Sequence, residues 1–297
     1  MGYYEKFLSF QRMMSPAIII LVLLSAFLHA SWNAFAKKGL DPTLSIAAFH
    51  AVAAIIAVPI IFRVPLPDPE SLPYLIASVV IHWVYIGLLG TAYRSGDLSQ
   101  VYPIARGTAP LLVTIISFLL LGETLPILTL FGISITCIGI ILLSFNNSIS
   151  RYQGHQPLVL SLSTGFMIAA YTIMDGLGVR HSINPMSYIS WLFILAGVTF
   201  AIILTFLRRK KLKETLQYCI KYRLVFLMGG IATATAYGIV VYAMHDNSMA
   251  MVSALRETSV LMGIIIGVVV LKESFGKIRI SAAILVISGV FMMNIVN

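Results

Sequence analysis

Two arginines placed inside apolar segments are the residues in this sequence best suited to bind an anion. Arg106 and Arg256 each lie about eight residues into their segment, or ~12 Å at the ~1.5 Å rise per residue of a helix. At that depth in a bilayer an arginine costs at least ~2.5–3.5 kcal/mol, so it must face protein or a water-filled cavity and have a partner. Its guanidinium fork fits the oxygens of a carboxylate, phosphate or phosphonate. We therefore predict that the substrate has an acidic group, bound by Arg106 or Arg256.

Glu257 directly follows Arg256 and is the obvious acidic partner for either arginine. An Arg–Glu pair can simply lock two helices together. Alternatively, one arginine pairs with Glu257 while the other remains available to an anionic substrate. If the protein instead exports amino acids or cationic, drug-like compounds, Glu257 becomes the better anchor and is itself a substrate-binding residue.

Helix-breaking residues surround Arg106 in the sequence. Pro110 has no N–H to donate to the carbonyl of Arg106 four residues earlier, which bends a helix and leaves that oxygen for another partner. Pro103 and Gly107 loosen the same stretch. We predict a hinge at Pro103, Gly107 and Pro110, with a simple irregularity of packing as the alternative.

Other polar and aromatic residues inside apolar segments are weaker candidates for lining a substrate cavity. Aromatic walls hold the apolar part of a ligand, although Tyr and Trp also favour membrane interfaces. These candidates are Trp32, Asn33, His82, Tyr85, Tyr102 and Tyr171. Proton coupling requires a group that changes charge, and Glu257, His82 and Asp175 qualify by type. Asp175 lies near the end of its segment, where it can instead cap the helix or contact lipid headgroups.

The elements that must position these residues are membrane helices. Of 297 residues, 59% are apolar and 10% charged, and the mean hydropathy is +0.95. A soluble domain carries roughly 25% charged residues. The net charge of +9 comes mostly from residues that flank apolar runs, which excludes nucleic acid as the expected partner and indicates lipid headgroups. The composition predicts an all-α membrane protein.

Apolar windows of about 20 residues, bounded by charges or by Pro and Gly, predict ten transmembrane helices. They are 16–37, 43–62, 72–93, 98–121, 126–145, 157–178, 186–207, 223–244, 248–271 and 278–296. Residues 1–15 form a tail or an interfacial helix, and 208–222 form a basic loop. Neither Cys137 nor Cys219 lies in a CxxC or Cys/His spacing, so we expect no metal and no cofactor.

The two halves of the chain repeat. A shift of 150 residues places Arg106 on Arg256 and Glu123 on Glu273, with no gap across this stretch. Polar residues at equal spacing inside apolar helices are rare, so we read the chain as a duplicated unit of five helices. An odd number of spans inserts the second copy in the opposite orientation, and such inverted repeats enclose a site near the bilayer midplane and open it alternately to each side. This architecture predicts a transporter.

Several short motifs resemble the drug/metabolite transporter superfamily, in its EamA-like branch. They are Ser95-Gly96-Asp97, Val101-Tyr102-Pro103-Ile104-Ala105-Arg106-Gly107, Leu121-Gly122-Glu123-Thr124-Leu125 and Leu271-Lys272-Glu273-Ser274. The resemblance covers the whole chain and implies EamA-like repeats at 16–146 and 157–297, joined by a linker at 147–156. It also implies carriage of amino acids, sugars, drugs, nucleotide precursors or other metabolites. The Tyr-Pro-Arg string is similar to a subgroup associated with phosphonate utilisation.

Enzyme and scaffold functions have less support in the sequence. It contains no HExxH, GxSxG or GxxxxGK[ST] motif, so neither a membrane-embedded enzyme nor an ATP-driven pump is expected. A sensor or scaffold that transports nothing has no motif of its own. Gly263 and Gly267 form a GxxxG, which supports either internal packing in a monomer or contact in a homodimer.

Charge distribution and resemblance disagree on the orientation in the plasma membrane. Fourteen of the twenty Lys and Arg fall in the loops after segments one, three, five, seven and nine, and four fall on the other side. The positive-inside rule then places both termini outside and 208–222 in the cytoplasm. The family resemblance implies cytoplasmic termini. We predict the orientation that the charges favour.

Overall fold

The regular structure of the chain is helical throughout its described part. The computed structural model describes residues 14–36, 41–95, 98–143, 155–262, 265 and 276–295, and no strand occurs among them. The helices are α1 (Pro16–Ala36), α2 (Pro42–Ile61), α3 (Leu72–Ser95), α4 (Leu98–Leu121), α5 (Ile127–Leu142), α6 (Gln156–Arg180), α7 (Pro185–Leu207), α8 (Leu212–Lys221), α9 (Arg223–Met244), α10 (Met249–Arg256) and α11 (Lys277–Ile295). The all-α prediction is confirmed for these residues.

Six of the described helices are long and apolar enough to cross a membrane. The qualifying stretches are Thr43–Ile61, Leu72–Ala92, Pro103–Leu121, Gln156–Arg180, Pro185–Leu207 and Arg223–Met244. Three shorter apolar stretches lie in α1, α5 and α11, at Pro16–Ser31, Ile127–Leu142 and Ile280–Met293. The chain is therefore an integral membrane protein.

The second helix of each half begins with the same device. Asp41 precedes Pro42, and its carboxylate accepts the Leu44 N–H at 3.1 Å. Asn184 precedes Pro185, and its side-chain oxygen accepts the Met186 N–H at 3.0 Å. Asp and Asn satisfy otherwise unpaired N–H groups at a helix start, and proline fits the first helical position because it has no N–H.

The basic loop predicted at 208–222 contains a helix. A 3-10 turn at Arg209–Lys211 leads into α8. Leu212, Leu216 and Ile220 recur every four residues on α8 and are exposed. An amphipathic helix with exposed apolar residues beside a basic cluster is suited to lie in the membrane interface.

The ninth predicted span, 248–271, is interrupted beside the candidate arginine. Helix α10 ends at Arg256, Glu257 and Thr258 form a turn, and residues 259–262 are helical again. The Thr258 hydroxyl donates to the Leu255 carbonyl at 2.8 Å, and the backbone bonds here are of the tighter i to i−3 type. By contrast, α4 is one helix that includes Pro103 and Pro110. Gly263 and Gly267 lie outside the described residues.

Helices of one half pack mainly against helices of the other. Helix α5 packs on α11, α2 on α7, α1 on α9 and α3 on α6. The helices at equivalent positions in the two halves are α1 and α6, α2 and α7, α3 and α9, and α5 and α11. The α1–α9 contact is therefore equivalent to the α6–α3 contact, and the α2–α7 and α5–α11 contacts each join two equivalent helices. At the α5–α11 crossing, a Cβ added to Gly132 would lie 2.6 Å from the Gly289 carbonyl oxygen, so this close approach of two backbones requires glycine.

Helices α2 and α7 run in opposite directions. At the start of α2, the Asp41 carboxylate lies 2.5 Å from the Arg208 guanidinium at the end of α7. In the loop after α2, the Asp68 carboxylate accepts the Ile183 N–H at 2.7 Å, and Ile183 lies just before α7. The second helix of one half is therefore antiparallel to the second helix of the other.

Candidate functional site

A small cavity lies where the two halves meet. Its volume is about 60 Å³, and α1, α2, α3, α6, α7, α9 and α10 all contribute to its wall. The polar and aromatic residues of the wall are His29, His50, His82, Tyr85, Tyr171, Phe193, Thr233, Tyr237 and Arg256. The wall therefore combines aromatic faces with several polar groups, the usual composition of a small-molecule site.

The aromatic side of the cavity is a cluster of four rings. The imidazole of His82 stacks on Tyr171 with the ring centres 4.2 Å apart. Tyr237 meets both of these rings edge to face, at 5.7 Å from His82 and 5.8 Å from Tyr171. Tyr85 meets Tyr171 in the same manner at 5.3 Å. Edge and stacked contacts both favour fixed relative positions of the rings, so these four side chains form a continuous aromatic wall.

Hydrogen bonds fix the orientation of the two histidines on α2 and α3. His82 Nδ1 lies 2.9 Å from the Ser78 carbonyl, and His50 Nδ1 lies 2.8 Å from the Ile46 carbonyl. A carbonyl oxygen can only accept, so each Nδ1 carries a proton and, in the neutral ring, Nε2 is an acceptor.

Arg256 supplies the cationic group of the cavity. Its side chain is 6% exposed, and the guanidinium carbon lies 5.1 Å from the centre of the Tyr237 ring. The negative face of the ring stabilises a cation at this distance. No carboxylate of the described residues lies within ion-pair distance of Arg256. Arg256 therefore places a positive charge at the cavity wall, and none of the described carboxylates forms an ion pair with it.

Arg106 and Glu257 form a buried ion pair beside this cavity. Arg106 Nε lies 2.8 Å from Glu257 Oε2, and their side chains are 4% and 2% exposed. The Arg106 guanidinium also donates to the Ser259 hydroxyl at 3.3 Å. The pair joins α4 of the first half to the turn after α10 in the second. Of the two candidate arginines, the one that contacts Glu257 is thus Arg106, although Arg256 is its neighbour in the chain.

The carboxyl group of Asp175 lies inside the protein, neither at a helix end nor among lipid headgroups. Asp175 is fully buried, and its carboxylate accepts hydrogen bonds from the hydroxyls of Tyr188, at 3.0 Å, and Tyr237. It does not cap α6, which continues to Arg180, and its burial keeps it from contact with lipid headgroups. Those two roles were the alternatives to proton coupling, and the convergence of two tyrosines distant in sequence on the carboxyl group argues against both.

A second buried ion pair connects the two halves where α4 and α6 end. Glu123, in the turn after α4, lies 2.7 Å from Arg180 at the end of α6. Arg180 also donates to the Met244 carbonyl at 3.1 Å and to the Asn247 carbonyl at 2.9 Å, and Ser248 donates to Glu123 at 3.2 Å. Glu123 therefore connects the turn after α4 to the end of α6 and to the loop between α9 and α10.

A larger groove of about 700 Å³ runs between α2 and α7 on the outer surface. Almost all of its wall is aliphatic or aromatic, with Arg209 at one end. An apolar groove on the outside of membrane helices is covered by lipid chains and has few groups that could orient a polar molecule. We therefore assign the candidate site to the smaller, polar cavity.

The structure brings some of the sequence candidates together and leaves others apart. His82, Tyr85, Tyr171 and Arg256 line the cavity. The side chains of Trp32, Asn33 and Tyr102 lie outside the described residues. Pro103, Gly107 and Pro110 are buried in α4, where Gly107 packs against α5.

Sequence reasoning missed several residues of the cavity and its surroundings, Tyr237 and Tyr188 among them. Tyr237 contacts Arg256, Asp175 and the aromatic cluster, and Tyr188 holds the other side of Asp175. The spacing of Thr233 and Tyr237, four residues apart on one face of an apolar helix, was the available signal for the first.

Comparison with known proteins gives one family and one fold. The sequence model of the EamA-like transporter family matches residues 16–145 and 156–295, one match in each half. A protein of known crystal structure superposes on the chain with a TM-score of 0.74 at 12% sequence identity, and the alignment covers 94% of this chain and 97% of the other. At this identity the likeness concerns the fold alone. No curated protein matches the chain.

Proposed function

The chain belongs to the EamA-like transporter family, and on that premise we propose that it is a secondary transporter of a small polar metabolite with an acidic group. The family's members move small molecules across membranes and are not enzymes. Transport proceeds by alternating access across the plasma membrane. The two matched repeats correspond to the duplication predicted from the sequence.

The observation that carries the proposal is the unequal use of the two arginines. Arg106 contacts Glu257, whereas Arg256 lines the cavity with its guanidinium over an aromatic ring. A carboxylate, phosphate or phosphonate bound there gains charge-assisted hydrogen bonds from the guanidinium fork. Tyr85, Tyr171 and His82 then contact the rest of the molecule.

The size of the cavity supports a conformational cycle. Ligand pockets measure ~300–1,000 Å³, whereas this cavity measures about 60 Å³. Water fits into such a volume and a metabolite does not. The halves must therefore move apart to admit the substrate, and the cavity lies where such movement widens it.

Ten spans in two inverted repeats of five helices are the architecture that we propose for this cycle. The antiparallel directions of α2 and α7 support the inversion, as does the exchange symmetry of the helix contacts. The break after Arg256 supports a discontinuous helix at the site, a common feature of inverted-repeat transporters.

A ligand panel followed by a flux assay tests the proposal. Carboxylates, organic phosphates, phosphonates, amino acids and amines are screened for stabilisation of the purified protein, and the best compound of each class is assayed for counterflow in proteoliposomes. We expect saturable, counterflow-competent flux for an acidic compound. Flux confined to amines would refute the acidic substrate, and no flux for any class would refute the transporter.

The charge distribution also leads us to propose that both termini lie outside and that 208–222 lies in the cytoplasm. Cys219 on α8 reports on this orientation, since Cys137 is buried. We expect a membrane-impermeant maleimide to label Cys219 in inside-out vesicles and not in right-side-out vesicles. Labelling from outside would reverse the assignment, and Cys219→Ser should abolish the signal in either case.

The pH dependence of this labelling provides an internal check. Burial raises the pKa of the Cys219 thiol, an effect that the nearby Arg208 cation opposes. A raised pKa leaves less of the reactive thiolate at neutral pH, so labelling should be slower than for a small free thiol and should rise about tenfold per pH unit below that pKa. A rate independent of pH in this range would show that opening of the structure, rather than thiolate formation, limits the reaction.

A further inference from the structure

A buried carboxyl group next to the cavity has no role in binding the substrate as described so far. Asp175 is fully buried on α6, and its described hydrogen-bond partners are the hydroxyls of Tyr188, Tyr237 and Ser78. None of these three groups carries a positive charge. Glu257 differs in this respect, because Arg106 lies 2.8 Å from it.

An ionised carboxylate held by neutral hydroxyls inside a membrane protein is expensive. Its charge has lost bulk water, and hydrogen bonds replace only part of that solvation. A bound proton removes this cost, and the neutral carboxyl keeps one oxygen as a full acceptor and gains a donor. A hydroxyl can donate or accept, so the tyrosine hydroxyls can hydrogen-bond Asp175 in either charge state.

Tyr237 connects Asp175 to the cavity. Its hydroxyl donates to the Asp175 carboxylate, its ring lines the cavity, and the Arg256 guanidinium lies over that ring. In a proton transfer along this route, Tyr237 gives its hydroxyl proton to the carboxylate and takes one from a hydronium ion in the cavity, which becomes water. The sum is one proton moved from hydronium to Asp175, with Tyr237 unchanged.

The charged and titratable groups around Asp175 come from several helices. Ser78 faces it from α3, Tyr188 from α7 and Tyr237 from α9, and the Arg256 cation acts on it from α10. His82 contacts the Ser78 hydroxyl on the same helix, at 3.2 Å. Arg256 is the cation of this set, and it is also the residue that the proposed function assigns to the substrate's acidic group. The same guanidinium therefore stabilises both a substrate anion and an ionised Asp175, and the two negative charges repel one another.

We infer that Asp175 is a proton-binding site, connected to the cavity through Tyr237, that couples transport to a proton. The coupling rests on the proposed function: when an anion occupies Arg256, a proton on Asp175 relieves the excess of negative charge. Binding of the anion and of the proton favour one another, as reciprocity between two linked sites requires. Both then cross the membrane in the same direction.

Infrared difference spectroscopy of the purified protein in lipid tests the site without any substrate. Spectra in acidic and alkaline buffers are subtracted, and the carbonyl stretch of a protonated carboxyl is followed. We expect a titrating band in the wild type that is lost in Asp175→Asn. Tyr237→Phe should shift the band, because it removes a hydrogen bond to the carboxyl. Asp246→Asn, at an 82% exposed side chain, is the matched control and should keep the band.

Two results would overturn the inference. One is a titrating band that persists unchanged in Asp175→Asn, and the other is a folded wild type with no such band. Counterflow of the compound selected by the panel then separates the two proposals. A wild type that gives flux but no titrating band would refute the proton site alone. A wild type that gives the band but no flux would refute the transporter and leave the proton site standing.

Discussion

Arg106→Gln is expected to lower the free energy of unfolding by about 3–5 kcal/mol, because it leaves Glu257 buried without its cation. The two side chains are 4% and 2% exposed and their charged atoms lie 2.8 Å apart. Glu257→Gln should cost a similar amount, since Arg106 then remains in the same low-dielectric surroundings. Equilibrium unfolding in mixed micelles measures both values.

The double variant shows whether the cost belongs to the pair. Arg106→Gln combined with Glu257→Gln removes both charges, so we expect it to be more stable than the sum of the single effects predicts. Arg63→Gln, at an exposed position in the loop after α2, is the matched control and should change stability by less than about 0.5 kcal/mol. Additive single effects would mean that the two residues do not stabilise one another.

The sequence was informative about the elements of the fold because each span has a local signal. Apolar length located the helices, and Asp41-Pro42 and Asn184-Pro185 located the starts of α2 and α7 to within a residue. The same reasoning failed at 208–222. Charge dominates that stretch, and α8 is recognisable only from the four-residue spacing of its few apolar side chains.

The break in the ninth span shows a second limit. Local sequence rules predict a hinge at the proline and glycine residues around Arg106 and no helix end there, and α4 is one helix that includes Pro103 and Pro110. The helix that ends is α10, at a turn without either residue type, where the Thr258 hydroxyl bonds to the Leu255 carbonyl. Burial of the adjacent Arg106–Glu257 pair depends on contacts between the halves, and no single segment contains that information.

The candidate site was predictable in type and only partly in composition. An arginine inside an apolar segment costs free energy in a bilayer, so its presence alone was enough to select Arg106 and Arg256 as candidate site residues. Which of them contacts Glu257 depends on the crossing of α4 and α10, since the immediate neighbour Arg256 points to the cavity instead. The surroundings of Asp175 were equally inaccessible, because Tyr237 is 62 residues away in the chain.

Arg256→Gln is expected to weaken binding of an acidic substrate by roughly 10- to 100-fold, the equivalent of losing one or two charge-assisted hydrogen bonds. Stability should change much less than in Arg106→Gln, because the described partners of Arg256 are the neutral side chains of Tyr237 and Tyr171 rather than a carboxylate. Arg256→Lys keeps the charge and loses the fork, so its affinity should lie between those of the wild type and Arg256→Gln. Two measurements report the effect: the stabilisation of the purified protein by the acidic compound that the panel selects, and the half-saturation concentration of that compound in counterflow.

The same variants decide between an acidic and a cationic substrate. An acidic group bound at Arg256 requires that Arg256→Gln lose affinity while Arg209→Gln, on the outer surface beside the apolar groove, behaves as the wild type. A cation anchored at Glu257 predicts the reverse: Arg256→Gln would bind as well or better, since it removes a repelling charge, and a folded Glu257→Gln would lose binding. Because Glu257 already contacts Arg106, a cation would have to displace that guanidinium, which the buried position of the pair makes costly.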